Sequence, residues 1–288
     1  MIDLQIHSTY SDGTLTPYEL VKEAKKINLF AIALTDHDTI AGIPEFLKAG
    51  SEFQLITIPG VEVSAEAKLP PGSHLHILGL FIDHHNQELK TNLEFLKFHR
   101  NQRGEKIVER LNDLGVDISI AELQQEAGAG SIGRPHIAKI LIRKGVVPTL
   151  QTAFEKYIGK GKPAFVEKIK FPEQQAIQLI KKAGGLAIMA HPHLMNYPTF
   201  SEMQRKITSL KELGLDGFEA YYSGMPAGYT SKILNLANKL NQVVSGGSDY
   251  HGKNKEKILM GIGAGDLQIP DSVYYSLVER WEKLKSRQ

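Results

Sequence analysis

A chain of 288 residues can bury a substantial core as one large domain or two, and its 42% hydrophobic and 23% charged content is that of an ordinary globular protein. It has no cysteine, which excludes disulfides, thiolate metal sites and cysteine nucleophiles. It also has no apolar run of the ~20 residues a membrane span needs and no secretory signal in its opening MIDLQIHSTY, so a cytoplasmic location is expected. Net charge is only +2, but residues 89–162 hold thirteen Lys and Arg against eight Asp and Glu, which puts +5 there and −3 on the remainder. That asymmetry suits an anionic substrate held against metal-binding carboxylates, and it equally suits a solvated helical surface.

In chain order, short apolar strands are followed by polar residues and a helix. Residues 2–6 predict the first strand. Thr16-Pro17-Tyr18-Glu19 reads as a capping box with proline at the first helical position, and Leu20, Val21, Ala24 and Ile27 give that helix its apolar stripe. Residues 30–35 predict a strand ending in Asp36-His37-Asp38. Residues 55–58 predict one running into Pro59-Gly60-Val61-Glu62, and residues 75–81 one carrying His76. Between Glu88 and Lys162 the pattern turns to helices only, over 88–114, 119–127 and 134–144. Strands at 186–190, 217–221 and 242–245 lead to His191, Glu219, Asp249 and His251, with helices starting at Pro172, Ser201, Ala227 and Pro270. The alternation predicts an α/β fold with a parallel sheet and right-handed crossovers. Residues 89–162 read as a helical insertion into a domain made of 1–88 and 163–288.

The histidines and carboxylates carry the chemistry. His7, His37, His76, His191 and His251 lie at or just beyond strand ends, as do Asp12, Asp36, Glu62 and Asp249, and strand ends are where barrel and open α/β folds place their chemistry. Any one of them has a duller reading: a lone histidine after a strand is usually a hydrogen-bonded loop residue, and Ser11-Asp12-Gly13 is ordinary turn chemistry. The duller reading does not supply the same arrangement at five strand ends. Imidazole and carboxylate donors suit Zn²⁺, Mn²⁺ or Fe²⁺, and two or three such ions can polarise a phosphoryl oxygen, generate hydroxide near neutral pH and stabilise a leaving alkoxide.

These residues also resemble a known family. Asp3-Leu4-Gln5-Ile6-His7-Ser8-Thr9-Tyr10-Ser11-Asp12-Gly13 is similar to the opening motif D-L-H-x-H-(S/T)-x-x-S-D-G of the PHP (polymerase and histidinol phosphatase) superfamily of metal-dependent phosphoesterases. Thr35-Asp36-His37-Asp38, Pro59-Gly60-Val61-Glu62, His76-Ile77-Leu78-Gly79, Ala190-His191-Pro192 and Ser248-Asp249-Tyr250-His251 follow its later motifs in order. Arg100-Asn101-Gln102-Arg103, Gly133-Arg134-Pro135-His136 and Gly159-Lys160-Gly161-Lys162-Pro163 resemble one branch. That branch removes the 3′-phosphate from nucleoside 3′,5′-bisphosphates and trims short 5′-phosphorylated RNA or DNA from the 5′ end. The resemblance implies a distorted (β/α)7 barrel and two or three divalent ions, manganese foremost. It implies one ion on His7, Glu62 and Asp249, a second on Glu62, His76 and His191, and a third on Asp12, His37 and His251. Asp36 is counted with Glu62, His191 and Asp249 among the catalytic residues, acting by orienting a ligand. Arg100, Arg103, Arg134, His136 and Lys162 are the expected phosphate binders.

Two positions depart from the family. Gln5 stands where it has a metal-binding histidine and offers only a neutral amide oxygen. His193 stands where the branch has glycine, and it reads as an exposed loop histidine. Arg100 and Arg103, three apart on one helix face, can reach a single anion. Arg134 starts a helix whose N–H groups also favour phosphate. Lys160 and Lys162 in a Gly-rich turn are a weaker signal. Tyr221 and Tyr222 are candidates for stacking on a base and equally for core packing. The expected partner is a nucleotide or a short single-stranded 5′-phosphorylated oligonucleotide, with no membrane and no protein partner inferable. Two rivals stay open: a phosphatase of a small metabolite, and a nucleotide- or RNA-binding protein that Gln5 has deprived of turnover.

Overall fold

The computed structural model describes residues 1–67, 70, 73–128 and 130–286. The first half of the barrel comprises β1 (Ile2–Ile6), α1 (Pro17–Lys26), β2 (Ala31–Leu34), α2 (Ile43–Phe53), β3 (Ile56–Glu66) and β4 (Leu75–Leu80). A helical stretch follows: α3 (Gln87–Asp113), α4 (Ile120–Ala127), α5 (Arg134–Arg143), α6 (Leu150–Ala153) and a π-helical turn at Phe154–Ile158. The chain then returns through β5 (Phe171–Pro172), α7 (Glu173–Lys182), β6 (Leu186–Met189), α8 (Phe200–Glu212), β7 (Gly217–Tyr222), α9 (Tyr229–Leu240), β8 (Val243–Gly247) and α10 (Asp271–Lys285). The capping box read at Thr16–Glu19 forms, and a second closes at Ser119–Glu122.

The sheet runs β1-β2-β3-β4-β6-β7-β8, with β5 beside β3. It is a nearly closed α/β barrel with mixed strand directions, not an all-parallel sheet: β4 is antiparallel to both β3 and β6. The reason is chain length. β3 ends at Glu66 and β4 begins at Leu75, whereas a parallel crossover takes a dozen residues or more. β3 also runs well past the Pro59-Gly60 pair that reads as its end. A Cβ at Gly60 would stand 2.8 Å from the Leu34 carbonyl oxygen and 2.9 Å from that of Gly79, so glycine lets β2, β3 and β4 meet there.

Side-chain alternation divides the apolar residues into layers. Ile6, Leu34, Val61, Val63 and Ile77 pack with Leu20, Val21 and Phe46 between sheet and helices. Leu4, Ala33, Ile58, Leu78 and Ile188 fill the barrel interior, where Val273 and Leu277 of α10 also pack. The helical stretch has its own cluster around Ile107, Leu111, Leu123, Ile137 and Leu141. α3 straddles the two, since Leu89, Leu93 and Leu96 join the barrel's cluster. Among the described residues no helix is long and apolar enough to cross a membrane.

The first and last strands come together beyond their ends. His7 N donates to Tyr250 O (2.9 Å) and Asp249 N to Gln5 O (3.0 Å). Gly247 permits this approach, because a Cβ there would lie 2.4 Å from that of Gln5. The pairing is irregular between Asp3 and Ile6 in β1 and between Glu219 and Tyr221 in β7, and such bulges re-aim side chains.

Candidate metal centre and phosphate cleft

Glu62, fully buried on β3, is the hub. Its Oε2 lies 3.2 Å from His7 Nε2 and 3.2 Å from His37 Nδ1. Its Oε1 lies 2.7 Å from His76 Nδ1 and 3.2 Å from His191 Nε2. Asp249 Oδ1 is 3.2 Å from His7 Nε2. Asp12 Oδ1 is 3.3 Å from His251 Nε2 and 3.9 Å from His37 Nε2. The eight expected ligand residues thus converge. Three groups have donor atoms mutually within 4.8 Å: His7–Glu62–Asp249, His37–Glu62–His76 and His7–Asp12–His37–His251. His7 and His37 therefore each belong to two groups, where the sequence reading gave each to one. His191, placed with Glu62 and His76 in that reading, belongs to none of the three although it lies 3.2 Å from Glu62 Oε1.

The donor set fits divalent cations. His7 Nε2, His37 Nδ1, Glu62 Oε2 and Asp12 Oδ1 are buried without a hydrogen-bond partner, although complementary atoms stand 3.2–3.9 Å away. Close approach without hydrogen-bond geometry suits atoms turned toward a shared ion. The charge balance agrees. Burial would raise the carboxyls of Asp12, Glu62 and Asp249, yet the histidines, with Lys255 at Asp249, hold all three well below the usual range. Burial would likewise lower the His7 imidazole, but Asp249 and Glu62 outweigh it and raise it to about 10. His37 is driven to about 3 by burial, which Glu62 and Asp12 oppose and His7 and His76 reinforce. The three buried carboxylates raise the His7 imidazole, whereas burial leaves those of His37 and His76 lowered, so imidazolium meets the negative charge only in part and a divalent ion would meet the rest.

The surrounding contacts revise several sequence readings. Asp36 does not join the cluster: its oxygens accept from Ser8 N (2.8 Å), Ser8 Oγ (2.6 Å) and Ser11 Oγ (2.5 Å), which ties down the loop between His7 and Asp12. Tyr222 is an anchor and not a stacking surface, since its hydroxyl donates to Asp249 Oδ2 (2.7 Å). Lys255, which the sequence reading missed, bonds the same oxygen. His193 is half-buried, with its ring centroid 4.8 Å from that of Tyr222.

A cavity of about 480 Å³ adjoins the cluster, with Asp12, His37 and His76 on one side and Arg100, Arg103, Arg134, Lys160 and Lys168 on the other. Arg103 donates through Nε to Val166 O (2.7 Å). Burial, with Arg134 and Arg100 nearby, depresses its guanidinium to about 9. Arg134 lies 5.0 Å over the Phe154 ring. Among the described residues neither arginine has a carboxylate within ion-pair distance, and Glu167 in the cavity lining only partly offsets the two charges, so the pair is a crowded, desolvated cation site that an anion relieves.

The other expected phosphate binders are otherwise engaged. Arg100 lines the cavity but is buried, and its Nη2 pairs with Asp38 Oδ2 at 2.6 Å. Lys168 Nζ reaches the same oxygen at 2.6 Å. His136 accepts from Gly133 N through Nδ1 (3.0 Å) and so caps its own helix; it lines a different cavity, beside Thr9 and Lys139. Lys162 is exposed, and Lys160 takes the place in the cleft. Lys168 was missed because it lies beyond the stretch read as the insertion.

Comparison with known proteins bears on this arrangement. The PHP domain family model matches residues 3–112. The chain is 35% identical over 249 residues to a 5′-3′ exoribonuclease of Haemophilus influenzae, covering 86% of this chain and 89% of that protein. It is 31% identical over 252 residues to a 3′,5′-nucleoside bisphosphate phosphatase of Chromobacterium violaceum, covering 87% of each. A solved structure from Bifidobacterium adolescentis, assigned as a metal-dependent phosphoesterase, superposes with a TM-score of 0.84 at 29% identity, covering 97% of this chain and 96% of that one.

Proposed function

The chain belongs to the PHP domain family, it is a hydrolase of phosphate esters, and we propose that it removes the 3′-phosphate from nucleoside 3′,5′-bisphosphates and trims 5′-phosphorylated oligonucleotides from the 5′ end. One observation carries the substrate assignment: the Glu62 cluster and the guanidinia of Arg103 and Arg134, which outnumber their one nearby carboxylate, Glu167, open into the same cavity. A volume of about 480 Å³ suits a nucleotide. Residues 89–162 act as an insertion that carries both arginines to the mouth of a barrel made of 1–88 and 163–288, and we place the protein in the cytoplasm.

His7, Glu62 and Asp249 would hold one ion, Glu62, His76 and His191 a second, and Asp12, His37 and His251 a third, with His37 near enough to Glu62 to serve two groups. The ions, manganese first with zinc or iron as alternatives, supply the Lewis acidity and charge neutralisation on which phosphoryl transfer relies. The chain's own part is orientation. Tyr222 and Lys255 hold Asp249 by Oδ2 and leave Oδ1 toward His7. Asp36 fixes the loop that presents Asp12. Arg103 and Arg134 grip the 5′-phosphate, which leaves the 3′ ester toward the cluster. A bisphosphate and a 5′-phosphorylated strand share that end, so one site serves both.

The test is a phosphate- and nucleotide-release screen of the manganese-loaded protein. It compares nucleoside 3′,5′-bisphosphates, mononucleotides, small phosphorylated metabolites, and oligonucleotides with 5′-phosphate or 5′-hydroxyl ends. Preference for bisphosphates and 5′-phosphorylated strands is expected. Preference for a small metabolite, or for 5′-hydroxyl ends, would overturn the assignment.

A further inference from the structure

Gln5, at the position where the resembling family has histidine, is fully buried and so is Glu219 across the barrel. Each lies at an irregular stretch of its strand. The Gln5 carboxamide spans the gap between two carboxyl groups. With its nitrogen turned toward acceptors, the NH₂ donates to Glu219 Oε1 at 3.0 Å and Oε2 at 3.1 Å. The other terminal atom, then the amide oxygen, stands 3.5 Å from Glu62 Oε1. Glu219 is itself held, because its Oε2 accepts from His191 N at 2.7 Å. Two oxygens facing each other in a buried site repel unless a cation lies between them.

We propose that Glu219 is a positioning residue that turns the Gln5 oxygen toward Glu62 Oε1, the oxygen that also faces His76 and His191, so that Gln5 is a working metal donor. The proposal rests on the metal-centre reading above. Gln5 is then a hard oxygen donor in place of imidazole, which shifts the site toward manganese and away from zinc. The geometry also keeps the donor from wandering. Gly247 packs against Gln5 at a distance that admits no side chain, and a partner hydrogen-bonded behind a ligand fixes its orientation. The opposing arrangement has a proton on Glu219 donating to the Gln5 oxygen, which would aim the NH₂ at Glu62 and repel an ion.

The test measures manganese stoichiometry and affinity of the full-length chain by chelator competition, and needs no turnover. The variants are Glu219→Gln, Gln5→Met and the pair together, with thermal melting of the metal-free proteins as the control for folding. Glu219→Gln presents an NH₂ to the Gln5 NH₂ and should reverse the amide. One ion should weaken by roughly ten- to a hundredfold, the usual scale for losing such a partner. Gln5→Met should lose as much, and the double variant no more than either alone. Unchanged affinity in Glu219→Gln overturns the proposal, as do additive losses, which would mean that Glu219 acts through His191. Unchanged or tighter binding in Gln5→Met also overturns it and favours the opposing arrangement. If Glu219→Gln does not fold, Gln5→Met decides alone. A wild-type chain that takes up no manganese defeats the metal-centre reading as well, whereas normal wild-type uptake with no effect of the variants defeats only this proposal.

Discussion

The metal cluster and the cationic cleft share a cavity but are built in opposite ways. The cluster uses side chains on or just beyond strands, aimed by the barrel, with His7, His37, His76 and His191 meeting at Glu62 and Asp12, Asp249 and His251 joined through His7 and His37. The cleft uses long cationic side chains on helices and loops, and their position in the chain does not reveal which of them are already paired. Arg100 and Arg103 lie three residues apart on α3. Yet the first is spent on Asp38, while the second, among the described residues, donates to a backbone carbonyl and lines the cleft. Strand-end chemistry is a property of the fold, and cationic recognition is a property of individual pairings.

The largest expected effect comes from breaking the hub. Glu62→Ala and His191→Ala should each reduce hydrolysis by on the order of 10³-fold or more, the scale of losing preorganised charge stabilisation, with metal content reduced and melting little changed. Normal turnover with full metal content in both variants would remove the cluster from the mechanism. Next is Arg103→Ala, assayed as kcat/KM on paired 5′-phosphate and 5′-hydroxyl substrates. A charge-assisted contact is worth ~1.5–3 kcal/mol, so a roughly ten- to hundredfold loss is expected on the phosphorylated member only. Equal losses on both would reduce the cleft to general electrostatics, recognisable by its salt dependence.

Arg100→Met sharpens the contrast. It should cost about 1–3 kcal/mol of stability, because Asp38 keeps Lys168 and Ser64 but loses one charged partner, while discrimination between 5′ ends stays intact. Urea unfolding and the same paired assay read the two effects separately. If discrimination collapses while stability holds, Arg100 is a phosphate ligand after all.

The smallest effect is a pH dependence. Burial, with Arg100 nearby, depresses the Lys168 ammonium to about 8 even though Asp38 opposes the shift. Between about pH 8 and the ordinary lysine range the unfolded chain therefore binds more protons at this position than the folded one, so its contribution to stability rises with pH across that window. Lys168→Met should remove this rise, as read from unfolding midpoints between pH 7.5 and about 10.5.

The same contrast sets how much could be read from residues alone. The eight candidate donor positions are legible because most pair a donor residue with a strand end, although Glu62 lies within the longer β3, and their convergence follows once the strands close a barrel. The direction of β4 and the length of β3 are less legible. Pro59-Gly60 is ordinary turn chemistry locally, and only the close passage of β2 and β4 makes it part of a strand. The ownership of Arg100 by Asp38, 62 positions away, and the reach of Lys168 across 130 have no local signature. The capping role of His136 is local, but phosphate binding is an equally local alternative, and only the resolved Gly133 contact decides.

The closing contacts of the barrel have a consequence in time. The cluster draws His7 and Asp12 from beside the first strand and Asp249 and His251 from beyond the last, and those strands meet where Asp249 and Tyr250 bond to Gln5 and His7. A growing chain that has not yet emerged past residue 251 has neither the complete donor set nor a closed barrel. The order of synthesis therefore withholds the finished centre until residue 251 has emerged.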